Sequence, residues 1–327
     1  MAANLLTPRT SYKPFEYPWA YDAYKLQQQM HWLPDEVSLA DDVKDWKNKL
    51  DDKERNLLTQ IFRFFTQADL DVAGGYIHKY MPVFAHKPEI TMMMASFANM
   101  EAIHIDAYSK LVETIGLPDS EYNAFLDYAE MKAKHEYLES TNFSSTRMEP
   151  SQIAKDLAVY SAFTEGLQLF SSFAILLNFP RHGKMNGMGQ IVSWSQRDES
   201  LHVESMIKLF KTFIKENKKI WDDELKKELY KACTDMVKLE DKFIDLAFKM
   251  GSIEGLTASE VKKYIRYIAD RRLLQLGLKT QFDQKKNPLP WVEDAMNSTV
   301  HTNFFENTAT EYAKASTSGT WDEVWDK

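Results

Sequence analysis

Two Glu-x-x-His pairs, Glu101/His104 in NMEAIHIDAY and Glu199/His202 in QRDESLHVES, lie within hydrophobic stretches of this 327-residue chain. Residues three apart share a helix face, so each pair aims one carboxylate and one imidazole at the same spot. A lone acid precedes each pair at a similar distance: Asp69 lies 32 residues before Glu101, and Glu165 lies 34 residues before Glu199. Four carboxylates and two imidazoles suit two divalent cations in the core of a four-helix bundle. The chemistry on offer is that of a dinuclear metal site.

With eight histidines in the chain, one accidental Glu-x-x-His would be unremarkable, so neither pair alone is specific. A solvated helix face is the bland alternative. The flanks argue against it. Glu101 sits within ITMMMASFANMEAIH, Glu165 within LAVYSAFTEGLQLFSSFAILL, and Glu199 follows QIVSW. Acids in such surroundings are expected to be buried, and burying unpaired carboxylates is costly. Two divalent ions would neutralise four of them. At the first acid, Asp71 competes with Asp69. The face of Asp69 carries Phe62, Phe65, Val72 and Tyr76, whereas that of Asp71 carries Phe64, Gln67, Gly74, Gly75 and His78; the first is more core-like, so Asp69 is placed in the site.

Helices must position these groups. Only 11 glycines and 11 prolines punctuate the chain. Apolar residues at i, i+3, i+4 mark helices over roughly 52–80, 88–116, 119–138, 150–178, 186–216, 222–250 and 258–278, and strand alternation is nearly absent. Ser38 and Asp51 are expected N-caps, each with an acid three residues on, and Pro88 and Pro150 suit a first helical turn. A separation of about 32 residues equals two antiparallel arms of a helical hairpin measured between their midpoints, at roughly 1.5 Å per residue. Each lone acid should therefore face its Glu-x-x-His partner.

The bulk properties agree. An aromatic content of 13% can fill a large core, and a net charge of −8 argues against nucleic acid or a membrane surface as the main partner. No apolar run approaches bilayer length, and the first residues lack the pattern of a signal peptide. A single cysteine, Cys233, leaves no internal disulfide and points to a reducing cytoplasm.

In order and spacing, HWLPDEV, FFTQADLDV, MEAIHIDAY, FTEGLQLF, RDESLH and NPLPW followed by NFFENTATEYAKA resemble the small, radical-generating subunit of class I ribonucleotide reductase. The resemblance covers almost the whole chain. It implies an all-α, ferritin-like bundle with additional helices over 1–298, a flexible C-terminal tail over 299–327, and a homodimer. Asp69, Glu101, His104, Glu165, Glu199 and His202 would be the metal ligands. Oxygen-rich ligation with two imidazoles suits two irons, manganese with iron, or two manganese ions.

Tyr108 lies one turn beyond His104, so its phenol should face the same interior. A buried tyrosine is ordinarily a packing residue. By resemblance, Tyr108 matches the residue that many family members oxidise to a tyrosyl radical, where some relatives have phenylalanine. Ser195 stands one turn before Glu199, where the resemblance leads one to expect an apolar residue. By the same resemblance, Trp32 matches a tryptophan between cofactor and surface. Asp198 matches an acid joining that tryptophan to a metal-bound imidazole, here His104. Tyr312 matches a mobile tyrosine that hands the radical to the large catalytic subunit.

The last segment, KASTSGTWDEVWDK, is polar apart from Trp321 and Trp325, which stand four apart and would share one side of a short docking helix. The resemblance makes the large subunit its target, the subunit that would supply the nucleotide site and redox thiols for ribonucleotide reduction. Rival functions are a stand-alone ferritin-like oxidase or oxygenase, an iron-storage cage subunit and a purely structural helical protein. The first needs an open apolar pocket beside the metals, the second has no use for the NFFENTATEYAKA tail, and the third leaves the buried acids unexplained.

Overall fold

A computed structural model describes residues 4–140 and 149–295. Proline opens the first helix, α1 (Pro18–Gln29), where the missing N–H is not needed. After α2 (Ala40–Asn48), α3 (Asp52–Gly74) starts at a capping box in which Asp51 accepts from Glu54 N–H and the Glu54 side chain reaches back to Asp51 N–H. A π-helical turn over Gly75–Tyr80 and the short α4 (Met81–Phe84) extend it. The helix α5 (Pro88–Ile115) begins on its proline and ends at Gly116 in the left-handed conformation.

Beyond Pro118 the expected single helix over 119–138 is replaced by two 3₁₀ turns, Asp119–Tyr122 and Ala124–Asp127, followed by α6 (Ala129–Ser140). Asp119, Ser120, Asn123 and Asp127 crowd this stretch, and short polar side chains compete with a continuous helical ladder. The expected helix over 150–178 is likewise interrupted: α7 (Pro150–Ala158) passes into a π-helical stretch, Val159–Gln168, before α8 (Phe170–Arg181). The long α9 (Asn186–Glu216), α10 (Asp223–Ala247) and α11 (Ala258–Leu276) complete this unit.

The expected cap at Ser38 is not made, because α2 begins after Leu39 without a side-chain cap. Its acids serve a different helix. Asp42 accepts from the N–H groups of Gly187 and Met188 at 2.9 and 2.7 Å, and Asp45 from that of Met185 at 2.9 Å. Two carboxylates thus cap α9 from a neighbouring element, where the helix dipole favours negative charge. Residue 187 must be glycine, since a Cβ there would lie 2.6 Å from the Ser38 carbonyl oxygen.

α3, α5, the α7–α8 segment and α9 surround the core, α1 packs on α5 and α9, and α10 and α11 cover the π-helical stretch. α6 is fastened to α10 by a fully buried ion pair, Lys134 Nζ to Glu240 Oε1 at 2.5 Å, with Ser171 Oγ donating to Glu240 Oε2 at 2.6 Å. The compact unit spans Met1–Leu289; a second, Pro290–Lys327, is described only over residues 290–295, which are helical. Among the described residues, the only extended pairing is one antiparallel bridge, Ile253 with Leu256, and no helix is long and apolar enough to cross a membrane.

Candidate metal centre

Apolar periodicity turns one face of each core helix inward, and the ligand candidates ride on those faces. Asp69 comes from α3, Glu101 and His104 from α5, Glu165 from the π-helical stretch, and Glu199 and His202 from α9. All six are buried, none more than 3% exposed. Donor atoms of Glu101, Glu165, Glu199 and His202 lie within 4.8 Å of one another, a group that can hold a metal ion. His104 borders it: its Nδ1 is 3.4 Å from Glu101 Oε2 and 3.5 Å from Glu199 Oε1. His202 Nδ1 is 3.0 Å from Glu101 Oε1 and 3.7 Å from Glu199 Oε2. Asp69 is not one of that group of four, yet its charge interacts with His104, Glu101 and Glu199. Asp71 points elsewhere and meets His135 Nδ1 at 2.8 Å.

The protonation pattern follows from burial and crowding. Burial raises the carboxyls of Asp69 and Glu165 well above the usual range, and neighbouring carboxylates add to the rise. Burial acts in the same direction on Glu199, but His104 and His202 overcome it and hold that group at about 2. Burial disfavours charge on His202, and Glu101 and Glu199 reverse this, holding it at about 10; His104 is raised in the same way.

Apart from these close approaches to one another, several buried atoms have no hydrogen-bond partner: Asp69 Oδ2, both Glu101 oxygens, Glu165 Oε2, Glu199 Oε2 and His202 Nδ1. Leaving such groups unsatisfied costs ~1–3 kcal/mol each. Two divalent cations would satisfy these lone pairs and cancel four carboxylate charges. The residues fit a dinuclear centre.

The outer faces of both imidazoles are already engaged. His104 Nε2 lies 3.3 Å from Asp198 Oδ2, and His202 Nε2 lies 3.1 Å from Gln27 Oε1. Gln27 Nε2 donates in turn to Asp198 Oδ1 at 3.2 Å. With each Nε2 carrying the proton toward its acceptor, both Nδ1 lone pairs are left for metal. Trp32 Nε1 donates to Asp198 Oδ2 at 2.8 Å, and its ring lies 6.1 Å from that of His104 and 5.2 Å from that of Trp194.

Tyr108 is buried on α5, with the Phe65 ring edge-on at 4.7 Å and its hydroxyl without a hydrogen-bond partner. Burial raises its pKa, and the charge of Asp69 adds to the rise. Ser195 is itself buried, so its polarity does not bring solvent to the site. Tyr312, Trp321 and Trp325 lie outside the described residues.

The family described as "Ribonucleotide reductase, small chain" matches residues 9–288. The chain belongs to that family. It is 48% identical to the probable ribonucleoside-diphosphate reductase small subunit of Invertebrate iridescent virus 6, over 99% of each chain. It is 32% identical to the ribonucleoside-diphosphate reductase subunit beta of Chlamydia pneumoniae, over 92% of this chain and 89% of the relative. The ribonucleotide reductase R2 subunit of Clostridium botulinum superposes with a TM-score of 0.78 at 24% identity, covering 86% of this chain and 88% of that one. The all-α, ferritin-like fold expected from the sequence is thus the fold of the family.

Two residues escaped the sequence analysis of this small-chain site. Gln27 lies in the run QQQ, where nothing distinguishes the glutamine that turns inward. Tyr76 donates to Glu165 Oε1 at 2.5 Å. Its spacing of seven from Asp69 places it two turns along the same face, a signal available in the sequence but read there only as core.

Proposed function

We propose that this chain is the small subunit of a ribonucleoside-diphosphate reductase, holding two metal ions and generating a radical for a separate catalytic subunit. The observation that carries the metal assignment is the set of buried, unpartnered carboxylate oxygens around two imidazoles whose outer nitrogens are already engaged. Asp69, Glu101, His104, Glu165, Glu199 and His202 would hold the ions, either iron, manganese or one of each. When bound, the pair supplies one-electron oxidising power at the centre of the bundle.

Around it the chain's own residues have distinct tasks. Tyr108 is the phenol to be oxidised and stored as a tyrosyl radical. Its packing against Phe65 and its burial exclude water from the oxygen atom. The charge of Asp69 acts on this phenol and disfavours its ionisation, so the hydroxyl keeps its proton until it is oxidised. Asp198 fixes the tautomer of His104 and binds the Trp32 indole, so an oxidising equivalent leaves through His104, Asp198 and Trp32. Tyr312 relays it in the tail, residues 299–327, whose Trp321 and Trp325 dock on the large catalytic subunit. The chain functions as a homodimer.

Metal analysis combined with electron paramagnetic resonance of activated protein tests this assignment. Two ions per chain and a tyrosyl signal that disappears in Tyr108→Phe are expected. A chain that binds no metal would overturn the metal assignment, and one that reacts with oxygen and an apolar substrate without any large subunit would favour the stand-alone oxidase.

A further inference from the structure

The π-helical stretch that carries Glu165 is gripped from outside by a buried arginine. Arg272, on α11, is 9% exposed. Its Nε donates to the Gly166 carbonyl at 2.8 Å, its Nη1 donates to Gln275 Oε1 at 2.8 Å, and its guanidinium lies 4.9 Å from the Phe170 ring. Burying a guanidinium beside a carbonyl, an amide and an aromatic face is costly, and burial lowers its pKa to about 10. Such a residue calls for a reason.

Gly166 directly follows Glu165, and the contact is built for a residue without a side chain. A Cβ at position 166 would fall 2.7 Å from Arg272 Nε and 2.9 Å from the Ser161 carbonyl oxygen. Within the same stretch, Ser161 Oγ turns back onto the Leu157 carbonyl at 2.6 Å, a bond that bends helices. π geometry is rare and appears in short stretches, frequently at functional sites; a less favoured backbone persists when surrounding contacts fix it. Relaxation to a regular α-helix would shift the register by one residue, rotating Glu165 by about 100° around the axis. That would carry its carboxylate away from Glu199 and His202. At the carboxylate end, Tyr76 holds Oε1 but cannot set the backbone register.

We propose that Arg272 is the positioning residue for Glu165: by holding the Gly166 carbonyl, it keeps Val159–Gln168 in the register that presents Glu165 to the metal site. This rests on Glu165 being a metal ligand.

The test is Co(II) titration of the full-length protein, followed by its visible absorption bands, with thermal stability measured in parallel. Wild type should bind two Co(II) ions. Arg272→Met and Gly166→Ala should each weaken one Co(II) site by tenfold or more and change the visible bands, at a temperature where both remain fully helical. Arg272→Lys, which can still donate to the carbonyl, should recover part of the affinity. Gln275→Ala, which removes only the other partner, should bind Co(II) as wild type does. Arg272→Met with wild-type affinity and bands overturns the proposal, however much its stability has fallen. If that variant does not fold, Gly166→Ala decides by the same criterion. A Glu165→Ala protein that still binds two Co(II) ions with wild-type affinity removes Glu165 from the site, and the proposal falls with it.

Discussion

The indole N–H of Trp32 and the carboxylate of Asp198 are joined by a 2.8 Å hydrogen bond across 166 residues of sequence. The same oxygen, Oδ2, lies 3.3 Å from His104 Nε2, while Gln27 donates to Oδ1 and also reaches His202. One carboxylate thereby orients one imidazole directly and the other through an amide. Such outer partners set tautomer and ring direction, so their loss would weaken a bound metal without removing any candidate ligand.

Asp198→Asn should bind metal about 10–100-fold more weakly while keeping its helical content, because the amide keeps the shape but lacks the anionic acceptor that His104 and Trp32 share. Mn(II) titration monitored by electron paramagnetic resonance measures this. Unchanged Mn(II) affinity would mean that His104 needs no orienting carboxylate.

Among the ligands, Glu101→Ala and Glu199→Ala should each lose metal in proportion to the protein, while circular dichroism stays near wild type because the helices rest on apolar packing. Asp69→Ala should lose more than Asp71→Ala, since Asp69 acts on the ligand cluster and Asp71 pairs with His135. Equal losses in the two aspartate variants, or full occupancy in both glutamate variants, would break the ligand assignment.

The candidate ligands' clustering and burial were legible because a helix has a fixed period: Glu-x-x-His needs only three-residue spacing, and hydrophobic flanks reveal burial. Asp69 over Asp71 was decided in the same way, by what shares each face. The π turns at Gly75–Tyr80 and Val159–Gln168 were not legible, because one extra residue per turn leaves the apolar pattern nearly intact and depends on contacts such as Arg272 with Gly166. Ser38 carried the local signature of a cap, yet Asp42 and Asp45 of that region cap α9 across 145 and 140 residues of sequence. Gln27 had no signature at all. Local chemistry reads from the sequence; partners brought together by tertiary packing do not.

Tyr108→Phe should assemble the metal centre normally, because a ring of nearly equal size fills the space against Phe65. After activation it should lack a tyrosyl signal, and turnover with the large subunit should collapse. Wild-type turnover in this variant would place the oxidising equivalent on the metals and leave Tyr108 a packing role.

Asp156 gives a pH-dependent stability test that involves none of the candidate ligands. Burial raises its carboxyl from 3.8 to about 7, against the lowering effects of Gln152, Lys155 and Lys79. The folded state therefore holds this proton more tightly than the unfolded chain. Its stabilising contribution is complete below pH 3.8 and is lost as pH rises toward about 7, at up to ~1.4 kcal/mol per pH unit. Asp156→Asn cannot ionise, so its thermal midpoint relative to wild type should rise between pH 5 and pH 8. A difference that stays constant across this range would show that Asp156 titrates normally.

The docking and radical-transfer roles proposed for the tail can be tested separately. Deleting residues 317–327 removes Trp321 and Trp325 but leaves Tyr312 and all six candidate ligands, so metal binding and the tyrosyl signal should persist. A well-packed tryptophan anchor is often worth ~2 kcal/mol or more, and losing two should weaken binding of the large subunit by several orders of magnitude. Tyr312→Phe should show the opposite pattern. A phenyl ring fills the same space and leaves affinity unchanged, but it has no phenol to oxidise, so nucleotide reduction should stop. Affinity measured by sedimentation and turnover measured by deoxynucleotide formation distinguish the two outcomes. Intact binding and reduction after the deletion would remove the docking role from the two tryptophans. Failure of the full-length chain to bind any large subunit would leave the bundle as an oxidase in its own right.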